Sequence, residues 1–152
     1  MAGFDASGLD ELIRDMTRLG QRTGAMAQAM TQEAGNEIAA SWRREAEKRK
    51  FRKSGAMIES IGTPEGVQSF GDGGTVYVDV YPKGKDKKGT RNAAKAFILH
   101  YGTKHIQPSY WTDAANDAAE PTVNEKLENM WGEFLEKGRV PVVADTGGQE
   151  KR

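Results

Sequence analysis

Over residues 7–50, apolar side chains recur at helical spacing: Leu9, Leu12, Ile13, Met16 and Leu19, then Thr23, Met26, Met30, Ala34, Ile38 and Trp42. Ser7 is placed to cap the start, and Asp10 and Glu11 complement the positive helix end. Read as one helix, the stretch is ~65 Å long at about 1.5 Å per residue. A compact domain of this chain length is only ~25 Å across. Such a helix must project, bend or pack on other subunits. Gly20, Gly24 and Gly35 are weak points for a bend. Two helices broken near residues 20–24 are the alternative. The stripe is thin and rich in Ala and Met. The composition points the same way: 37% of the 152 residues are hydrophobic and 29% are charged, which is lean for a compact monomer and suggests a slender shape or burial shared with neighbours.

The rest of the chain reads as short mixed elements. Residues 53–62 predict a turn and short helix with Ile58 and Ile61 facing inward. Gly62, Pro64 and Gly66 punctuate it. Residues 67–70 and the alternating run 75–81 predict a hairpin across the turn Gly71-Asp72-Gly73-Gly74. A flexible basic loop spans 82–89. A short helix over 92–101, with Phe97, Ile98 and Tyr101 on one face, stops at Gly102. Helical spacing resumes from Ser109 to about Lys137, interrupted by Pro121, which either kinks one long helix or opens a second. Gly138 ends it. The expected fold class is α+β: a long N-terminal and a C-terminal helix packed on a small antiparallel sheet, with a short helix before the Gly102 corner. Residues 1–138 are expected to form one domain and 139–152 a mobile tail.

Basic and acidic residues balance at 22 each, so bulk charge gives no reason to seek nucleic acid or membrane. Locally the charge is segregated. Residues 43–53 hold seven basic and two acidic residues, 83–95 six basic and one acidic, and 113–136 one basic and seven acidic. These blocks are either solvated faces or complementary surfaces that meet between copies. The chain has no cysteine, which excludes disulfides and thiolate chemistry and fits a reducing cytoplasm. No apolar run approaches ~18 residues, so no membrane span is expected. The N-terminus lacks the basic and apolar regions of a secretory signal.

Catalytic patterns are not found. His100 and His105 straddle Gly102, share no helix face and have no second ligand at metal spacing. One is expected to be a partly buried polar tip, the other a loop residue. Ser54, Ser60 and Ser69 lack a nucleophile elbow. Gly71-Asp72-Gly73-Gly74 lacks the Lys and Ser/Thr of a phosphate loop. Asp113 and Asp117 read as a solvated helix face. Neither a cofactor nor a metal is expected. The loop Lys83-Gly84-Lys85-Asp86-Lys87-Lys88-Gly89, with Arg91, is the one nucleic-acid candidate, suited to phosphate contact without base readout.

Three segments in order resemble the HK97 gp10-like family of tailed-bacteriophage neck and tail-completion proteins. They are Lys53-Ser54-Gly55-Ala56-Met57-Ile58-Glu59-Ser60-Ile61, then Phe97-Ile98-Leu99-His100-Tyr101-Gly102-Thr103, then Gln107-Pro108-Ser109-Tyr110-Trp111-Thr112-Asp113-Ala114. The resemblance covers about 9–137. His100 stands where the family usually has Glu, and Asp113 where it often has Pro. The resemblance implies a non-enzymatic virion protein that forms a ring, hexameric or dodecameric, at the head-tail junction. Stopper and tail terminator or tube proteins would be its neighbours, and DNA would pass through its lumen. Before assembly it would reside in the host cytoplasm. In that setting Phe97, Ile98, Tyr101, Gly102, Thr103, Pro108, Tyr110 and Trp111 form a structural corner, with Phe97, Ile98, Tyr101, Tyr110 and Trp111 as its core. Lys83, Lys85, Lys87, Lys88 and Arg91 are the candidate DNA or lumen contacts. Arg43, Arg44, Lys48, Arg49, Glu125 and Glu128 are the candidate subunit contacts. Two other readings remain: a nucleic-acid-binding module of mobile-element origin using 43–53 and 83–95, and a small enzyme using His100 or His105 with Asp113.

Overall fold

A computed structural model describes residues 6–51, 55–71 and 75–145. In chain order the elements are α1 (Ala6–Lys48), α2 (Gly55–Ser60), β1 (Ile61–Gly62), β2 (Val67–Phe70), β3 (Thr75–Val78), β4 (Tyr81–Pro82), α3 (Asn92–Tyr101) and α4 (Trp111–Lys137). The fold is α+β, as expected. The proposed Ser7 cap, residues 52–54 and the 72–74 turn lie outside the described side chains or residues.

α1 is one unbroken helix of 43 residues. Gly20 and Gly24 each cost about 1 kcal/mol relative to Ala, but good helix formers surround them and the helix runs through. Gly35 is no bend point. It is where α1 crosses the sheet: a Cβ there would lie 2.7 Å from Val78 Cγ1 and 3.0 Å from Thr63 Cγ2. The helix ends in a left-handed residue, Lys50 (φ 59°), with the Phe51 N–H bonded back to the Ala46 carbonyl at 3.2 Å. This Schellman closure turns Phe51 onto the core.

α4 is also continuous, with Pro121 inside it. Pro121 is exposed, so its missing N–H costs one bond without jamming the ring into the core. α4 runs antiparallel along α1. Ser41 Oγ donates to the Ala115 carbonyl at 2.7 Å, and Trp42 Nε1 donates to Asn116 Oδ1 at 2.7 Å. Lys126 Nζ reaches Glu33 at 3.1 Å and Glu37 at 2.9 Å. Gly138, the left-handed cap of α4 (φ 64°), lies beside Arg22. α4 therefore ends near Arg22, and residues 11–25 of α1 are all exposed.

The run 75–81 does not form one strand. β3 pairs antiparallel with β2, Val78 opposite Val67, while β4 pairs with β1, Tyr81 opposite Gly62. The chain changes partner at Asp79 and Val80, so two two-stranded sheets replace the single small sheet. α2 buries Met57. Ile61 is buried too, but from β1 and not from the helix.

The core gathers Ala39, Ala46, Met57, Ile61, Ala96 and Trp111, with Trp42, Phe51, Ile58, Val80 and Leu99 packed on it. Of the five side chains expected at the centre of the corner, only Trp111 is buried. Phe97 is 62% exposed, Tyr101 57%, Tyr110 51% and Ile98 37%. The reason is the orientation of α3. It lies on the core through Asn92, Ala96 and His100, with Leu99 beside them. Ala96 is small enough to bring the helix backbone to the Trp111 indole, whose N–H points to the Ala96 carbonyl at 3.3 Å. The larger apolar face is left outward.

Candidate functional site

The corner after α3 is held by backbone. Gly102 closes the helix with its N–H on the Ile98 carbonyl at 2.8 Å. Its φ of 76° and ψ of 179° are open only to glycine. Thr103 and Ile106 exchange backbone bonds at 2.8 and 3.3 Å, and Thr103 Oγ1 accepts the N–H groups of His105 and Ile106. The chain then doubles back along α3. Ser109 N–H and hydroxyl donate to the Leu99 carbonyl, and Tyr110 N–H donates to the His100 carbonyl at 3.0 Å. The last carbonyls of α3 are thus satisfied by the residues that open α4. Tyr110 itself is left-handed (φ 51°, ψ 35°) and delivers Trp111 inward. Pro108 is exposed and lies against Gly102.

His100 is buried, its Nδ1 within 2.6 Å of Thr112 Oγ1. Its Nε2 is 3.9 Å from Asp113 Oδ2. The ring edge also meets Tyr101 and Tyr110. His105 is exposed in the turn, so the two histidines stand as expected, one buried and one in a loop. No group of metal-ligating side chains occurs among the described residues, and no described helix is long and apolar enough to cross a membrane.

The basic loop is organised, contrary to the flexible loop expected. Asp86 is its hub. Its N–H bonds the Thr90 carbonyl, its Oδ1 accepts the N–H groups of Lys88 and Thr90, each at 2.9 Å, and its Oδ2 meets Lys95 Nζ at 2.5 Å. Asn92 Nδ2 ties the loop to α3 through the Lys83 carbonyl at 2.9 Å. Lys83, Lys85, Lys87, Lys88 and Arg91 are displayed on the surface, while Lys95 is used inside the loop.

The Lys95 hydrogen bond, helped by the Thr90 and Lys88 N–H groups, holds the Asp86 carboxyl below the usual range. A depressed folded-state value means the loop's stabilisation is complete above the ordinary carboxylate value. It is lost as pH falls through the lowered one. NMR titration should find Asp86 with an acid-shifted midpoint that Lys95→Met moves back upward. An unchanged midpoint in that variant would show that Lys95 does not hold the loop.

The candidate subunit contacts divide. Arg43 turns inward and donates to the Ile61 carbonyl, and Arg49 bonds Glu45 at 2.7 Å and the Ser109 carbonyl at 3.3 Å. These two tie α1 to β1 and to the corner within one subunit. Arg44 reaches Glu37 at 3.4 Å but is largely exposed, and Lys48, Glu125 and Glu128 are exposed. The one basic residue of the acidic run 113–136, Lys126, clamps α4 to α1. Its hydrogen bond draws the Glu37 carboxyl down, and Glu37 in turn raises the Lys126 amine. Sequence reading missed this clamp and the Asp86 hub. A lone cation in the acidic run 113–136 and a lone acid in a basic loop were the available signals.

A long helix backed by an antiparallel helix, two minimal sheets and a glycine-locked corner define a scaffold whose ordered features are structural. Residues 10–138 match the family described as "Bacteriophage HK97-gp10, putative tail-component", and the chain belongs to that HK97-gp10-like family. No curated protein and no solved structure gives a significant match.

Proposed function

We propose that this chain is a non-enzymatic subunit of a ring at the phage head-tail junction or tail end, through which DNA passes. The observation that carries the reading is the projecting first third of α1. Leu12, Ile13, Met16 and Leu19 share one helical face there, and all are more than half exposed. A monomer gains nothing from such a face, whereas an assembly covers it. The displayed cations at 83–91 suit sequence-independent phosphate contact with passing DNA. Copy number follows from the assembled mass.

Light scattering with negative-stain imaging is the test, on the subunit alone and after addition of phage heads or tails. The expected result is a closed ring of defined mass. A subunit that stays monomeric in every setting overturns the reading. Salt-sensitive DNA binding by that monomer would favour the nucleic-acid-module alternative.

A further inference from the structure

We propose that the exposed stripe of α1 docks on the outward face of α3 in the next copy of this chain. The inference rests on the ring reading above and names the contact that would build the ring.

Among the described residues, one subunit exposes two apolar faces. The stripe carries Leu12 at 55%, Ile13 at 53%, Met16 at 64% and Leu19 at 58% exposure. The second face is aromatic: Phe97 and Tyr101 meet at a tilt with centroids 4.7 Å apart on α3, with Ile98 beside them and Tyr110 across His100. Two stripes facing each other would make a two-fold dimer, whereas a closed ring needs two different faces of the chain to meet.

The two faces cannot meet within one chain. Ala46 packs in the same cluster as Ala96 of α3, and Met16 lies roughly 45 Å further along the straight axis of α1. Only a neighbour can bring stripe and patch together. A contact between two different patches of one chain is head-to-tail, and repeated about an axis it closes a ring. Met26, two turns further along the same side of α1, is fully buried, so the subunit covers this side of the helix only beyond residue 25.

The test uses the full chain wherever the wild type assembles. A stripe variant (Leu12→Glu with Met16→Glu) and a patch variant (Phe97→Glu with Tyr101→Glu) are each expected to be folded monomers by circular dichroism, because all four side chains are exposed. Mixed together, they retain one intact stripe and one intact patch, so a 1:1 dimer and nothing larger is expected. Cross-linking gives an independent reading, since the chain has no cysteine. Met16→Cys with Tyr101→Cys in one chain should give a ladder with a short bismaleimide, and either cysteine alone should not. Rings that persist in the patch variant, or a cross-linked dimer from Met16→Cys alone, would overturn this contact and leave the ring reading intact. A wild type that never assembles defeats both.

Discussion

Replacing Gly102 with Ala is expected to destabilise the subunit by about 4 kcal/mol, a large share of the ~5–15 kcal/mol that holds a domain folded. Two costs combine. The backbone at φ 76° and ψ 179° is a region that side chains penalise by roughly 1–3 kcal/mol. In addition, a Cβ would lie 2.5 Å from the Ile106 carbonyl oxygen and 2.7 Å from the Pro108 nitrogen. Both are backbone atoms, so no rotamer change relieves the clash. Relief requires opening the Thr103–Ile106 turn, and with it the bonds from Ser109 and Tyr110 to the end of α3. Urea unfolding of the variant should show a much lower midpoint with little change in slope. A midpoint within experimental error of wild type would mean that the corner is not locked by this glycine.

Trp111→Ala is expected to cost about 4 kcal/mol as well, by a different mechanism. Trp111 has no exposed surface and meets Trp42 and Phe51 edge-on at 5.5 and 5.8 Å. Its removal leaves a cavity where α1, the Phe51 that follows it, α3 and α4 converge. Those neighbours are fixed by backbone bonds and close the gap only partly. Trp111→Phe keeps most of the ring and should recover more than half of the loss, leaving the Ala96 carbonyl without the indole. Near-UV circular dichroism and denaturant unfolding together measure this. A small loss in the alanine variant would place the centre of the core elsewhere.

The helices were legible because periodicity is a local property. The stripe from Leu9 to Trp42, the 92–101 segment and the stops at Gly102 and Gly138 lie where the sequence indicates them. The inward face of α3 was not legible. Phe97, Ile98 and Tyr101 are its most apolar residues, and hydrophobicity alone turns them to the core. What turns them outward is Ala96, whose small side chain lets the Trp111 indole approach the helix backbone. That choice depends on a partner fifteen positions away. Gly35 was misread for a similar reason: nothing near it in sequence shows that Val78 will press against it.

The cation at Lys126 and the acid at Asp86 were each visible as an exception within a run of opposite charge, but their partners were not. Glu33 and Glu37 become neighbours of Lys126 only when α4 folds back along α1. By itself, the sequence determined the helices, the family and an α1 too long for its own domain, because these follow from spacing, local conformation and length. Only the tertiary structure decided which apolar faces stay exposed, because burial depends on which elements meet and how closely their backbones can approach.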